Sequence, residues 1–401
     1  MRPLDPESEL LLCCARTRPD NGTAQRIRAL VFQPLDWDWL LRTARPHGML
    51  PLLHRHLSAS PENIPAPVLA ALSDGFQVSI RQSLRLVREM VRLLGRFAER
   101  RVVAVPYKGP TLAARCYGDL SLRPFRDLDF LVRPQDLAPA RQVLAADGYT
   151  PSPPRTPRQE AAIHNTWRED AFWRDADVVE LHWAFAPREF PLPLKVEDVW
   201  ARLEPLPIGG TLVRTPSAEH LLLVLCAHGA KHCWERLGWI CDVAELLRRT
   251  PALDLSGMLA QARSLGVERI MLLGLRLAAE LLDVPLPEDV ACRARDDRVV
   301  GALAAQVRAT LFRRMPTGSS HSWESRLFHL RTRERWRDRL RYCARVALTP
   351  TSGDWAWLRL PDALYPLYYV ARPIRLIAKY GPGGSRYIPV PPSGRPGDLA
   401  P

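Results

Sequence analysis

VVAVPYKGPTLAARCYGDLSLRPFRDLDFLV, residues 102–132, carries the densest functional chemistry of the sequence. The apolar run 102–107 has strand composition, Lys108-Gly109-Pro110 interrupts it, and residues 111–117 contain enough Ala and Leu to begin a helix. A second short strand then carries Asp127-Leu128-Asp129. Because successive side chains of a strand point to opposite faces, the two aspartates share one face. The stretch therefore predicts two carboxylates side by side on a rigid strand.

Two carboxylates in this arrangement can hold divalent metal. Mg²⁺ prefers oxygen ligands and keeps positions for water and substrate phosphates, and two such ions would serve nucleotidyl transfer. A third carboxylate is then expected, and Glu180 is the best candidate because it lies in a second β-branched run, VVELHW at 178–183. Lys108, Arg123 and Arg126 lie close in sequence and would meet phosphate charge. The alternative is that Asp-x-Asp arises by chance in a chain with many acids.

His182 follows Glu180 by two residues and so shares its strand face. There it would touch a phosphate, a metal or the acceptor. The alternative is a hydrogen-bonded structural histidine beside Trp183. We place His182, together with His228 and Asp242, around the metal ligands instead of among them.

Five runs of the sequence resemble one known family. They are YKG (107–109), LAARCYGD (112–119), LRPFRDLDFLV (122–132), VELHWAF (179–185) and HGAKHCWERLGWICDVAELL (228–247). These runs resemble the nucleotidyltransferase-like family NTP_transf_5, a bacterial branch of the polymerase-beta-type nucleotidyltransferase superfamily. The resemblance implies that Asp127, Asp129 and Glu180 bind the metals that activate a nucleoside triphosphate (NTP). It also implies that the Gly109 turn corresponds to the turn that cradles the triphosphate.

A helix predicted for residues 218–231 carries His228, Lys231 and, just beyond it, His232. The resemblance implies that this helix faces the nucleotide cleft, with Lys231 or His232 meeting phosphate and Asp242 holding the helix pair together. Two alternatives remain. His228 and His232 have the spacing of a zinc pair, although no H-E-x-x-H or C-x-x-C motif accompanies them. Otherwise, His228 and Asp242 satisfy each other in a helical core.

Composition narrows the class of partner. The 401 residues include 56 Lys and Arg and 43 Asp and Glu, which gives a net charge of +13. A positive charge of this size is typical of proteins that bind nucleic acids. This charge is almost all arginine, scattered over predicted helices, which fits a high-GC coding bias and argues against nucleic acid as the natural acceptor. The eight cysteines lack framework spacing, and the opening MRPLD is not an apolar signal sequence. The predicted compartment is the cytoplasm.

The C-terminal part holds two unusual segments. Residues 325–347 are rich in arginine with interleaved acids, so a solvated helix face is the default and an anionic partner the alternative. Residues 355–380 concentrate aromatics but are too interrupted by charges and prolines to span a bilayer. This segment packs on its own domain or makes weak peripheral membrane contact. The Pro- and Gly-rich residues 381–401 are predicted to be disordered.

We therefore expect an α+β protein with a small mixed-sheet nucleotidyltransferase core at residues 101–215. N-terminal helices (1–100) precede it, and a helical domain (216–350), the aromatic and basic segment (351–380) and the tail (381–401) follow. The predicted activity is Mg²⁺- or Mn²⁺-dependent transfer of a nucleotidyl group from an NTP to an unidentified acceptor, which could be a small molecule, a polysaccharide precursor, a peptide or a protein. The alternative is a catalytically degenerate protein of the same fold that binds a nucleotide or a partner.

Overall fold

A mixed β-sheet embedded in helices forms the described part of the chain. The computed structural model describes residues 4–151, 156–166, 168–188, 190, 192–313 and 323–380, so the tail predicted at 381–401 lies outside it. Helices precede the sheet and follow it along the sequence. This architecture confirms the predicted α+β class.

The five-stranded sheet has the order β1-β2-β5-β4-β3. Its strands are β1 (Val105–Pro106), β2 (Asp127–Leu131), β3 (Thr150–Pro151), β4 (Glu169–Arg174) and β5 (Asp177–His182). β2 and β5 run parallel, and the other neighbours are antiparallel. A separate hairpin joins β6 (Leu203–Ile208) to β7 (Thr211–Pro216) around Gly209-Gly210, as the glycine pair predicts, and lies against β1.

One face of the sheet is apolar and is covered by helices. Leu128, Phe130, Val179 and Leu181 are almost fully buried on it. They pack with Phe97 in a cluster that does not include the strand acids. Because the side chains of a strand alternate, the acids at 127, 129 and 180 project from the opposite face. Burial of the apolar face thus fixes the direction of the acidic one.

The N-terminal helices are joined to the C-terminal ones by a shared core. The N-terminal set is α1 (Pro6–Cys14), α2 (Asn21–Val31), α3 (Trp37–Ala44), α4 (Leu50–Leu57) and the 34-residue α5 (Ala66–Glu99). Asp5, Asp20 and Asp36 cap the first three of these helices by accepting hydrogen bonds from backbone N–H groups. Leu10 and Leu222 belong to the same cluster of buried side chains. The predicted domain boundaries stay a prediction.

Short helices connect the strands of the core. They are α6 (Pro110–Leu112), a π-helix (Ala113–Tyr117), a 3₁₀ turn (Pro134–Asp136), α7 (Leu137–Ala146), α8 (Pro157–Thr166) and α9 (Val196–Trp200). The sequence of residues 164–173 suggests a further strand at the edge of the site, but the strand begins only at Glu169 and His164 is helical. This residue lies in α8, which begins at Pro157, a residue well suited to a first helical turn. Its ring stacks on Trp183, with 4.9 Å between the ring centroids.

The C-terminal part is helical throughout its described residues. Its helices are α10 (Ala218–Lys231), α11 (Leu237–Arg249), α12 (Leu255–Leu265), α13 (Glu268–Leu282), α14 (Glu288–Asp296), α15 (Arg298–Thr310), α16 (Trp323–Thr332), α17 (Trp336–Leu348), α18 (Ser352–Trp357), a 3₁₀ helix (Asp362–Leu367) and α19 (Tyr368–Tyr380). No helix among the described residues is both long enough and apolar enough to cross a membrane. Peripheral membrane contact stays a prediction.

The arginine-rich segment is two helices instead of one solvated helix. Arg337 and Arg341 are exposed, as expected. Arg333, however, falls at the break between α16 and α17 and is only 1% exposed. Its guanidinium donates to the carbonyl of His329 and stacks on the ring of Tyr342, 3.8 Å from its centroid. The prediction of a solvated face was therefore wrong at this residue.

Candidate metal and nucleotide site

The parallel pairing of β2 with β5 brings two acids together. Asp129 lies directly opposite Glu180 in the register, so both side chains leave the same face of the sheet. His182 Nε2 lies 3.1 Å from Asp129 Oδ1 and 3.2 Å from Glu180 Oε2. One ligand atom from each of the three residues falls within 4.8 Å of the others. The sheet therefore presents two carboxylates and one imidazole to a common point.

His182 is the central cation of this cluster. Its ring is 3% exposed, and Nε2 makes no aligned hydrogen bond to the described residues, although two carboxylates flank it. Burial acts to lower the pKa of the imidazole, but the contacts with Asp129 and Glu180 raise it to about 9. Tyr107 packs edge-on against the ring. His182 was predicted to surround the metal ligands, and one of its ring nitrogens lies within 4.8 Å of a carboxylate oxygen of Asp129 and of Glu180.

Asp127 and Asp129 have opposite electrostatic environments. Burial raises the pKa of Asp127 to about 7, helped by the negative charges of Asp129 and Glu180. Burial also opposes ionisation of Asp129, but Lys108 and His182 hold its pKa well below the usual range. The Lys108 ammonium lies 3.2 Å from Asp129 Oδ1 and donates to it. Near pH 7, Asp129 is therefore ionised, whereas Asp127 is close to the midpoint of its titration.

Glu169 is a site residue that sequence reasoning missed. It pairs with His182 in the antiparallel register of β4 and β5, so it faces the same side of the sheet. Its Oε2 lies 3.6 Å from His182 Nδ1 and 3.6 Å from Lys231 Nζ. Burial raises the pKa of Glu169, but Lys231, His182 and Lys108 outweigh it and leave the pKa lowered. Period-two alternation along 169–174 was the available signal, but the register that brings Glu169 to His182 is not visible in the sequence.

Arg123 is placed differently from the other predicted phosphate ligands. Its Nε and Nη2 donate to the two oxygens of Asp242 on α11, at 2.7 and 2.9 Å. The hydroxyl of Tyr117 donates to the same carboxylate at 2.8 Å. Asp242 therefore joins α11 to the core through Arg123, and not α10 to α11 as expected. Arg126 is exposed, immediately before Asp127.

Gly109 forms the turn that ends next to the acidic strand. Its φ of 52° and ψ of −121° lie in a region that disfavours residues with a Cβ atom. A Cβ here would also lie 3.1 Å from the carbonyl oxygen of Asp127. The turn therefore needs glycine to pass close to the backbone of the Asp127 strand.

His228 and His232 form an aromatic cluster with Trp239. Their ring centroids are 4.8 Å apart, and each lies within 5.3 Å of the Trp239 ring. Burial holds the pKa of both histidines well below the usual value, and nearby lysines lower it further. Because Asp242 pairs with Arg123, the alternative in which His228 and Asp242 satisfy each other is wrong. The zinc alternative gains no support, since the metal-capable group found among the described residues is the one at Asp129.

Comparison with known proteins decides the family. Residues 33–283 match the family NTP_transf_5, which is described as an uncharacterised nucleotidyltransferase. The chain belongs to this family. The match spans the whole five-stranded sheet and helices α10 and α11, and it supports a general nucleotidyltransferase role. No curated protein and no solved structure matches the chain.

The side chains at Asp129 fit the divalent metal that nucleotidyltransferases generally use. Two carboxylates converge there with the buried imidazole of His182, whose raised pKa means that Nε2 must lose its proton before it can bind a metal. Carboxylates suit Mg²⁺ and Mn²⁺, and an imidazole ligand is more typical of the softer transition metals. Burial, followed by repulsion from the charges of Asp129 and Glu180, raises the pKa of Asp127. A cation at this point would relieve that repulsion.

Proposed function

We propose that this member of the nucleotidyltransferase family moves a nucleotidyl group from an NTP to an acceptor with the help of Mg²⁺ or Mn²⁺. The observation that carries the proposal is the parallel pairing of β2 and β5, which sets Asp129 opposite Glu180 with Asp127 two residues away on the same face. Three acids on one face of two paired strands are the arrangement that the chemistry requires. The proposed reaction does not depend on which acceptor is used. The compartment predicted from the sequence remains the cytoplasm.

The three acids share one task in the proposed reaction, and Glu180 has a second. Asp129, Glu180 and Asp127 would hold the metal, which when bound neutralises developing phosphate charge. Lys108 and Arg126 would orient the phosphates. Glu180 is also placed to accept a proton from the acceptor hydroxyl at its carboxylate. Most of the rate would come from this electrostatic positioning.

One observation favours the degenerate alternative. The ammonium of Lys108 already lies 3.2 Å from Asp129 Oδ1, and His182 lies 3.1 Å from the same atom. Two internal cations neutralise this carboxylate without any metal. A protein that kept the fold but lost turnover would show the same contacts. The degenerate protein would bind without turnover, so turnover of a radiolabelled NTP that the protein binds separates the two functions.

The test is calorimetric titration of the four NTPs in Mg²⁺ and in EDTA. The wild type should bind one NTP with Mg²⁺ and not with EDTA, and Asp127→Asn/Asp129→Asn should lose this binding at least tenfold. The matched control is Asp74→Asn/Asp175→Asn, which removes two exposed carboxylates and should bind as the wild type does. If folded wild-type protein bound no NTP in Mg²⁺, the catalytic proposal would fail. Equal binding by the two double variants would remove the aspartates from the site.

A further inference from the structure

A pocket lies next to the acidic site, near the end of α10. Residues of α10, α16, α17 and α19 and of the segments around Thr166 and Thr351 line it. Its volume is about 90 Å³. This is several times the roughly 10–15 Å³ that one water requires and well below the several hundred Å³ of sites for whole cofactors. The space suits a single small group.

Cationic side chains make up much of the described lining of the pocket. Its described lining contains no carboxylate and five cationic side chains, which we call the arginine pocket: Lys231, Arg326, Arg333, Arg345 and Arg372. Thr166, Thr349 and Thr351 also line the pocket. Guanidinium groups are the side chains best shaped to donate pairs of hydrogen bonds to phosphate oxygens. The composition of the lining therefore favours an anion.

Neighbouring contacts hold the arginines in place. Arg333 donates to the His329 carbonyl, and Arg345 donates to the Arg188 carbonyl. Arg372 lies 3.1 Å from a carboxylate oxygen of Asp354, whose other oxygen lies 2.5 Å from Arg375. One buried carboxylate is thus shared by two guanidiniums. The pocket is preorganised, which reduces the entropy cost of binding.

The pKa values of two lining residues of the pocket, His329 and Arg372, are lowered. Burial lowers the pKa of His329 to about 4, and Arg333 and Lys231 contribute to the shift. Burial is also the main cause that lowers the pKa of Arg372; the charge of Asp354 opposes the shift, and Arg375 and Arg326 add to it. Burial alone lowers the pKa of a histidine or an arginine, and the neighbouring cations act in the same direction. A bound anion would reduce this repulsion.

Lys231 connects the pocket to the acidic site. It lines the pocket, and its ammonium lies 3.6 Å from Glu169, which in turn lies 3.6 Å from His182. His329 anchors α16 at this point, because its Nε2 lies 2.8 Å from the carbonyl oxygen of Lys231. A substrate could therefore extend from the metal-binding carboxylates to the arginines. The two sites are neighbours that share one lysine.

We propose that the arginine pocket binds a phosphate group of the acceptor, so that the acceptor is a small phosphorylated molecule. This inference rests on the proposed nucleotidyl transfer. The same chemistry could come from the triphosphate of the donor NTP. The acceptor is favoured because Lys108 and Arg126 lie next to the acidic strand itself, whereas the arginine pocket is connected to the acids through Lys231 and Glu169.

The experiment measures binding of inorganic phosphate in EDTA and of the preferred NTP in Mg²⁺. Arg326→Ala/Arg345→Ala removes two charges of the pocket and keeps Lys231, which the two sites share. Arg337→Ala/Arg341→Ala removes two exposed charges from α17 and is the matched control. Arg345→Gln keeps most of the side-chain length and serves if the double variant fails to fold. Thermal unfolding of each variant checks its folding.

The expected result is that phosphate binds the wild type, the control and Asp127→Asn/Asp129→Asn alike. Its Kd should rise at least tenfold in Arg326→Ala/Arg345→Ala and severalfold in Arg345→Gln, with NTP affinity unchanged. Phosphate binding that is absent from the wild type, or equal in the pocket variants, overturns the pocket. An NTP affinity that falls in parallel overturns its assignment to the acceptor. If the wild type bound phosphate but showed no Mg²⁺-dependent NTP binding, the proposed nucleotidyl transfer would fail, and the assignment to an acceptor would fail with it. The pocket variants would still decide whether the arginine pocket binds phosphate.

Discussion

The Arg123–Asp242 pair shows how one contact changes the role of a residue. Both partners are largely buried, with side chains 16% and 3% exposed. Asp242→Asn would leave the Arg123 guanidinium buried without its countercharge. We expect the free energy of unfolding to fall by about 3–5 kcal/mol, as is general when one partner of a buried pair is removed. Urea unfolding at neutral pH measures the change.

An exposed pair supplies the control for this experiment. Arg26 and Glu9 also form a bidentate contact, but their side chains are 47% and 31% exposed. Glu9→Gln should cost about 1 kcal/mol or less, because water screens such pairs. If Asp242→Asn cost no more than Glu9→Gln, the pair would not hold α11 to the core, and Arg123 would be free to serve phosphate as first predicted.

Lys231 is predicted to contact the phosphates of the NTP. Its only acidic neighbour among the described ion pairs is Glu169, at 3.6 Å, so the ammonium can also reach a substrate. Lys231→Ala should raise the apparent KM for the NTP by roughly tenfold, which corresponds to ~1.4 kcal/mol. Lys231→Arg should restore part of the loss because it keeps the charge. An unchanged KM in Lys231→Ala would remove this residue from the nucleotide site.

Individual strands were easier to predict than their pairing. Alternation placed Asp127 and Asp129 on one face of β2, and β-branched composition located the strand of Glu180. Both follow from neighbours in sequence. Glu169 was missed because its place depends on the register of β4 against β5, and Arg123 was misplaced because its partner lies 119 residues away. Long-range register and ion pairing are set by tertiary packing, which one sequence does not display.

The contact between α10 and Trp234 explains why a helix interior carries glycine. A Cβ on Gly229 would lie 2.5 Å from the Trp234 ring, which is fully buried and has no room to retreat. Gly229→Ala should therefore destabilise the protein by about 1–3 kcal/mol, the usual cost of overpacking. Thermal or urea unfolding measures it.

Gly95 in α5 is the matched control for this glycine. It is exposed, and a Cβ there would meet nothing within 4 Å. Gly95→Ala should be neutral or stabilise by up to about 1 kcal/mol, because alanine favours the helix and restricts the unfolded chain. Equal effects of the two substitutions would show that α10 and Trp234 do not pack as tightly as the structure has them.

A buried histidine joins the N-terminal helices to α11. His47 lies between α3 and α4, is 1% exposed, and accepts a hydrogen bond at Nδ1 from the backbone N–H of Leu237, while its carbonyl accepts one from Gly238. Burial lowers the pKa of His47 to about 4, and the charge of Arg236 adds to the shift. The folded protein therefore resists protonation at this residue.

The sign of the resulting pH dependence follows from proton binding. Between about pH 6.5 and pH 4 the unfolded chain binds a proton at His47 and the folded protein does not, so stability falls as the pH falls. We expect this residue to contribute on the order of 2–3 kcal/mol to that decline. In His47→Asn, the amide oxygen can still accept from Leu237 but cannot titrate. The free energy of unfolding of this variant should fall less steeply than that of the wild type across this range. At pH 8, His47 is neutral in both the folded and the unfolded protein. The difference in free energy of unfolding between variant and wild type at this pH therefore gives the packing cost alone. Parallel stability curves from pH 8 to pH 4.5 would show that His47 does not couple protonation to the joining of the N-terminal helices and α11.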